Sequence, residues 1–468
     1  MEALLKKTGL KTISLAAGES GRLTRSELLS ALSCALDLTE GLPSGHSQRA
    51  CWIGMQLADT IHVPDSQRED LFYAILLKDI GCSSNASRLF NLYGSDDIAL
   101  KSDFRRVEFD KLLQIFRFIL AHTRPDAPLR ARLARAVYLG IHSSSLAKDV
   151  IEDRCYRGAA ILEKMGFPQP VSDAVRSLDE HWDGRGLPQR LSGKEIPLSS
   201  RIALMAQVID IFHSVGGPVQ ATQEVCERSG TWFDPNLVRA FVSVSAVEGF
   251  WTSLSTGRAA AETCRFEAAR SAGPVHDAEI DRLVEAFSEV IDAKSSRTAG
   301  HSQRVAQIAD TLAKTLALPA NQRHWIRRAA LLHDIGKLGL SNTILDHHGT
   351  LSEMEQRRYR EHVEIGRRIL SGIRSFAPIL PIIEAHHERF DGTGFPNALR
   401  DDQIPLGARV LAIADQFDWL LSGPGAAPNP HQAMVQISSQ RGTALDPRCV
   451  DALAKSVIAG DIHAPLPL

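Results

Sequence analysis

The sequence predicts an all-α protein of two tandem helical bundles, the first a degenerate copy of the second. Three observations lead there. Five phrases recur in the same order in the two halves, the apolar residues within them fall at helical spacing, and alternating Val/Ile/Thr runs of strand type are nearly absent.

The first recurrence is GHSQRACWIGMQLADTI at 45–61 and GHSQRVAQIADTLAKTL at 300–316. Ala50, Ile53, Leu57 and Ile61 match Val305, Ile308, Leu312 and Leu316, which is one buried stripe of an amphipathic helix. Next come YAILLKDIGC (73–82) and AALLHDIGKL (329–338), which share Leu-Leu-x-Asp-Ile-Gly but differ where Lys78 replaces His333. EHWDGRGLP (180–188) answers ERFDGTGFP (388–396), IPLSSRIALMAQVID (196–210) answers IPLGARVLAIADQFD (404–418), and GTWFDP (230–235) answers GTALDP (442–447). The offset is 255 positions for the first two phrases and 208 for the next two, so the first copy holds 47 additional residues after Asp79. This insert, about 84–150, is helix-compatible. The expected layout is a tail at 1–24, a first copy at 25–250, a linker or connecting helix at 251–277 that ends in Gly-Pro, and a second copy at 278–462.

Composition narrows the class. A chain of 468 residues is long for one core and comfortable for two. Lys and Arg number 53 against 55 Asp and Glu, too even a balance for a nucleic-acid polymer as partner. The locally basic RPDAPLRARLARAVY (124–138) reads as a solvated helix face. No uninterrupted apolar run reaches the ~18–20 residues of a membrane span, and the N-terminal stretch is too short and polar for a signal peptide. The seven cysteines are scattered without CxxC spacing, as reduced thiols are. The expectation is a cytoplasmic protein without a membrane partner.

The second copy carries side chains able to bind metal at each landmark: His301, His333 with Asp334, His362, His386 with His387, and Asp415. Imidazoles mixed with carboxylates suit Fe, Mn, Co, Ni or Zn better than Ca or Mg. Seven candidates exceed the need of one ion, and two ions sharing Asp334 would use them all. Such a pair clamps the attacking and leaving oxygens of a phosphoester, and Lys337, one turn further on, places a positive charge on the phosphate. His276, His324, His347 and His348 read as structural.

HDIGK, a later HVEIG, HHERFDGTGFP and ADQFD resemble the HD-GYP family of the HD metal-dependent phosphohydrolases over about residues 280–455. The resemblance implies an all-helical HD-type bundle, a binuclear or trinuclear centre with iron or manganese favoured, and hydrolysis of cyclic di-GMP. It assigns His333, Asp334, His362, His386, His387 and Asp415 as core ligands, Lys337 with Asp334 as the catalytic pair, and His301 as the upstream histidine. Asp292 stands where trinuclear members have a glutamate, which leaves a third ion open. Two departures stand out. Gly394-Phe395-Pro396 replaces Gly-Tyr-Pro, and LLSGPGAAPNPHQ (420–432) replaces a basic stretch that meets the dinucleotide phosphates in the family.

Aligned on the second copy, the first has Lys78 for His333, Cys82 for Lys337, Arg154 for His362, Leu178-Asp179 for the His pair and Gln207 for Asp415. Only His46 and Asp79 survive as ligands, so no metal site is expected there, and Gly184, Gly186, Pro188 and Pro197 persist as shapers of the fold. Arg49 and Arg201, shared with Arg304 and Arg409, read as structural for the same reason. Asp391 reads as a turn residue, and Glu388 either orients a ligand histidine or serves the turn. The function expected is a cyclic di-GMP phosphodiesterase with a regulatory or structural first copy. The alternatives are an HD-type phosphohydrolase for another nucleotide or phosphoester, and a non-catalytic scaffold that binds metal or nucleotide. A homo-oligomer, or a signalling partner bound through the first copy, is left open.

Overall fold

The computed structural model describes residues 25–104, 112–123, 127–268, 275–423 and 429–462. The tail 1–24, parts of the insert and linker, and residues 424–428 after Asp415 lie outside the described residues. The fold is all-α. Among the described residues, pairing of strand type is limited to two single bridges, Ser229 with Phe233 and Arg441 with Leu445. The chain divides into two compact units, one running to Val275 and including Ser341–Thr343, the other formed by His276–Leu340 and Ile344 onward.

Each unit is built around the helix that follows the Gly-His-Ser phrase. In the first, His46–Thr60 packs on Asp65–Leu76 and Leu198–Glu227; in the second, His301–Thr315 packs on Ala320–Leu332 and Leu406–Ser422. The stripe read from the sequence is the contact face. Ala50, Ile53 and Leu57 are fully buried, as are Val305 and Leu312, and only the last positions, Ile61 and Leu316, lie half-buried. Truncating one of the large members to Ala would cost about 2–5 kcal/mol.

Two glycine positions show why the phrases recur. Gly45 and Gly300 precede these helices with φ of 82° and 66°, a left-handed conformation that Gly adopts without a Cβ penalty. Gly81 and Gly336 permit a close backbone approach: a Cβ would stand 2.0 Å from the Arg154 carbonyl oxygen or 1.9 Å from that of His362. This approach presses the Asp-Ile-Gly turn against the helix Glu353–Leu370, and so brings residues 334 and 362 together.

The insert folds as helices, Ser84–Tyr93, Asp97–Phe104, Leu112–His122 and Leu129–Ile141, leading into Ser143–Met165. Leu100, Phe118, Ile119, Ala136 and Leu139 form a small core of their own there. The basic stretch is only partly the solvated face expected. Arg132 donates to the Leu120 and Thr123 carbonyls, and Arg135 to those of Asn91 and Leu92, so both fasten insert helices together.

Much of the expected linker belongs to the first unit. Phe250–Ser255 and Arg258–Ala268 are helices, and the second docks on His46–Thr60 through Trp52 Nε1 donating to Glu262 (2.9 Å) and Thr263 Oγ1 donating to the Gln48 carbonyl (2.8 Å). The helix Leu198–Glu227 has the length and apolarity of a membrane span. Its Ile202, Ala203, Met205, Ala206 and Ile209 fill the bundle core, however, and its backbone breaks at Gly217-Pro218. Cys34, Cys51, Cys82, Cys155, Cys226 and Cys449 are free thiols.

Candidate metal centre

The second unit gathers its sequence-assigned ligands in two groups. His301, His333 and Asp415 form one, His362, His386 and His387 the other, and within each the ligand atoms lie within 4.8 Å of one another. Asp334 stands between them. Its Oδ2 is 3.3 Å from His333 Nε2 and 3.9 Å from His301 Nε2, while its Oδ1 faces His362 Nε2 at 3.8 Å. One carboxylate oxygen thus addresses each group, as a bridging ligand between two ions requires.

Helix ends set these side chains. His333 closes the helix Ala320–Leu332, and its Nδ1 donates to the Ala330 carbonyl at 2.7 Å. His362 and His386 make the same bond three residues back, to the carbonyls of Tyr359 and Ile383. A carbonyl oxygen can only accept, so all three rings carry their proton on Nδ1 and present an Nε2 lone pair inward. His333 Nε2, His386 Nε2 and Asp334 Oδ1 are buried without a hydrogen-bond partner. Orphaned lone pairs in a dry site are costly unless something cationic meets them, so these residues fit a pair of metal ions.

Charge follows burial and neighbours. Burial holds His386 down at about 3 and His362 at about 4, with His387 well below the ordinary imidazole range, so this group offers neutral rings. Burial also opposes a charge on His301, but its bonds to Asp415 (3.2 Å) and Asp418 (2.7 Å) outweigh it and raise the ring to about 10. Burial would raise Asp334 too, yet His333 and Lys337 hold it far below the usual carboxylate range. Lys337 Nζ bonds Asp334 Oδ2 and lies 5.6 Å from the centroid of the Tyr359 ring.

Asp292 differs from the rest of the assigned set in its partners. Both its oxygens accept from Ser302, at 3.0–3.2 Å from the backbone nitrogen and 2.6 Å from the hydroxyl, which satisfies a free N–H in the first turn of the helix His301–Thr315. Asp37 accepts the corresponding amide and hydroxyl of Ser47, both on Oδ1, in the first unit, where no metal site is expected. The geometry therefore makes Asp292 a helix-capping residue. Glu388 resolves toward the turn: it accepts from the backbone nitrogens of Asn397 and Leu399, as Glu180 does from Gln189 and Leu191. Asp391 receives the Thr393 amide and hydroxyl in a tight turn.

Sequence reading missed Asp418. It accepts from His301 Nδ1 and takes the Arg304 guanidinium on both oxygens, at 2.6 and 3.1 Å. Its partner Asp210 holds His46 at 2.8 Å and Arg49 at 2.7 and 3.0 Å. The signal was available, since Asp210 and Asp418 end the fourth recurring phrase and a recurring His-Arg pair needs a recurring acceptor.

In the first unit the ligand positions hold ion pairs instead. Lys78 is buried with its Nζ on Asp79, the counterpart of Asp334. Burial would raise the Asp79 carboxyl, but the Lys78 ammonium holds it at about 2. Arg154, at the His362 position, grips Asp179, at the His387 position, through Nε and Nη2. Burial and Lys78 push His46 below its usual value, the reverse of His301.

Comparison with known proteins places this geometry. The model of the HD domain family matches residues 141–237 and 285–449, one segment in each half. The 3'3'-cGAMP-specific phosphodiesterase 3 of Vibrio cholerae serotype O1 is 39% identical over 450 residues, 94% of this chain and 96% of that protein. The cyclic di-GMP phosphodiesterase response regulator RpfG of Xanthomonas campestris pv. campestris is 36% identical over 173 residues, 36% of this chain and 46% of its own length. A crystal structure of a cyclic GMP-AMP-specific phosphodiesterase from V. cholerae superposes with a TM-score of 0.63 at 35% identity, covering 94% of this chain and 98% of the other.

Proposed function

The chain belongs to the HD domain family, its second half in the HD-GYP form, and we propose that this half is a metal-dependent phosphodiesterase acting on a cyclic dinucleotide. The observation that carries the reading is Asp334, with one carboxylate oxygen turned to each of two ligand groups. Two divalent ions held by these residues would supply Lewis-acid catalysis of phosphoester hydrolysis. With five imidazoles and two carboxylates as donors, iron or manganese is the proposed pair. The chain's own contribution is orientation and charge. Carbonyl-bonded Nδ1 atoms fix three ring tautomers, Asp418 fixes a fourth ring, and Lys337 keeps a cation where negative charge grows on phosphorus oxygens.

Within the cyclic dinucleotides we place 3'3'-cGAMP ahead of the cyclic di-GMP expected from the motifs alone. The relative that aligns with both halves is named for cGAMP, whereas RpfG, named for cyclic di-GMP, aligns with little more than a third of the chain. Cyclic di-GMP is the second reading, favoured by the motif set that both kinds of relative carry.

The test is a comparison of kcat/KM for the two dinucleotides on protein loaded anaerobically with iron or manganese, with Asp334→Ala as control. A preference for 3'3'-cGAMP of about tenfold or more, about 1.4 kcal/mol, is the expected result. Equal rates, or a preference for cyclic di-GMP, would reverse the order of the two readings, and cleavage of neither would remove the substrate class.

A further inference from the structure

Outside the ligand set, one cation at the site has no carboxylate of its own. Arg360 lies two residues before His362, and its guanidinium sits 4.9 Å from the centroid of the Phe395 ring. Phe395 in turn stacks on His387, with centroids 4.8 Å apart and planes at 27°, and His387 Nε2 is 3.2 Å from His362 Nε2. Arginine, aromatic ring and ligand histidine thus form one column ending at the metal ligands. Among the described residues no carboxylate pairs with Arg360, and its side chain is exposed. By contrast, Arg304 is committed to Asp418 and Arg409 to Asp446.

The two copies sort these arginines. Arg304 and Arg409 recur as Arg49 and Arg201 in the half that lost its ligands, each again on a carboxylate. Arg360 and Phe395 do not recur. Their counterparts are Glu152 and Leu187, so charge and ring vanish from the copy that also lost its histidines. A side chain kept only where the ligands are kept serves the reaction, not the frame.

We propose that Arg360, seated on Phe395, is the specificity-determining residue that holds the second phosphodiester of a cyclic dinucleotide while the first is cleaved. The inference rests on the cyclic-dinucleotide reading above. A cyclic dinucleotide differs from a simple phosphodiester in carrying two anionic linkages, and Lys337 is spoken for at the reacting one. Guanidinium matches a phosphate with two parallel N–H donors. The contact with the ring face restricts its rotamers beforehand, so less freedom is lost on binding. Phe395 is already engaged by both the His387 ring and the Arg360 guanidinium. Its role is to seat the cation, and this supplies a basic group that the stretch after Asp415 lacks.

The experiment compares wild type, Arg360→Ala, Arg360→Lys and Phe395→Leu as metal-loaded full chains, each checked for unchanged ion content. Two substrates are used: 3'3'-cGAMP, and bis(p-nitrophenyl) phosphate, which has a single phosphodiester. Binding of a hydrolysis-resistant phosphorothioate cyclic dinucleotide is measured alongside. Arg360→Ala should raise KM for the dinucleotide and Kd for the analogue by about tenfold or more, with kcat changed far less and the small ester cleaved as before. Arg360→Lys and Phe395→Leu should fall between. Unchanged KM and Kd, or equal losses on both substrates, would overturn the proposal alone. A wild type that cleaves the small ester but neither binds nor cleaves any cyclic dinucleotide would overturn the substrate reading, and the proposal with it.

Discussion

The two halves share a frame and differ in how they balance a buried carboxylate. Asp79 and Asp334 sit in the same turn, pressed against a following helix by Gly81 and Gly336. Around Asp334 stand imidazoles with inward lone pairs; around Asp79 stand a buried ammonium and a guanidinium pair. A buried carboxylate is costly without a cation at hand. In the second half Lys337 meets one oxygen of Asp334 and leaves the other without a partner, where the ligand set calls for metal ions; in the first the ammonium comes from Lys78, at the position of His333. The comparison teaches which residues belong to architecture. His46 with Asp210 and Arg49, the Asp37 cap and the Glu180 clamp all persist without any metal ligand set around them.

The largest contrast should come from deleting the two carboxylates. Asp334→Ala removes the group that both ligand sets share, and should lower turnover by about three orders of magnitude or more, with loss of bound ions. Asp79→Ala should leave ion content unchanged and act on stability alone, by about 3–5 kcal/mol, because it strands a buried ammonium. Ion counting on both variants, with a denaturation curve for each, is the check. Loss of metal from Asp79→Ala would break the comparison.

Next in size is a cycle confined to the first half. Lys78→Met leaves Asp79 buried and uncompensated and should cost about 3–5 kcal/mol, whereas Lys78→Met with Asp79→Leu should return to within about 1 kcal/mol of wild type, since an apolar pair replaces a buried ion pair at little cost. In the second half the lysine on the carboxylate is Lys337, at the Cys82 position, and Lys337→Met should lower kcat by about a hundredfold or more while the ions stay bound. A double variant as unstable as the single one would mean that the Lys78 ammonium has a partner beyond Asp79.

Much of this was legible in the sequence because the chain repeats itself. The helical stripe, the insert and the seven candidate ligands on the landmarks of the repeat were read from the sequence, and the structure brings the seven together. What the sequence hid were pairings across distance. It showed Arg154 and Asp179 as two separate losses, and nothing in their spacing of 25 positions says that each lost ligand became the partner of the other. Arg360 and Phe395 are 35 positions apart and meet only because the Glu353–Leu370 helix and the Phe395 turn converge at His387. Asp292 illustrates the converse: resemblance assigns a residue to a ligand position but does not show that its oxygens also hold the Ser302 amide and hydroxyl.

Asp418 and Asp210 test the comparison more finely. Asp418 orients His301 and also takes Arg304, so Asp418→Asn keeps shape but removes the charge that fixes the imidazole, and should weaken metal affinity by about 10- to 100-fold. Asp210→Asn disturbs the same bonds where no ion is expected and should affect stability only. Titration of the two variants with manganese separates the outcomes.

The smallest effect, and the one that would most sharpen the boundary between frame and chemistry, belongs to Asp292. If it caps the helix His301–Thr315, then Asp292→Asn retains an acceptor for the Ser302 amide, and should cost about 1 kcal/mol or less with ion content and kcat unchanged. Asp292→Ala should cost more, because the Ser302 amide and hydroxyl lose their acceptor. Asp37→Ala should cost about as much in the first half, where the same two bonds to Ser47 exist. Equal penalties at 37 and 292 would mean that the carboxylate is kept for the helix in both copies. An Asp292→Asn protein that holds one ion fewer, or turns over several-fold more slowly, would mean that in the second half the carboxylate serves a ligand role on top of the cap, and the division of labour drawn between the copies would have to be moved by one residue.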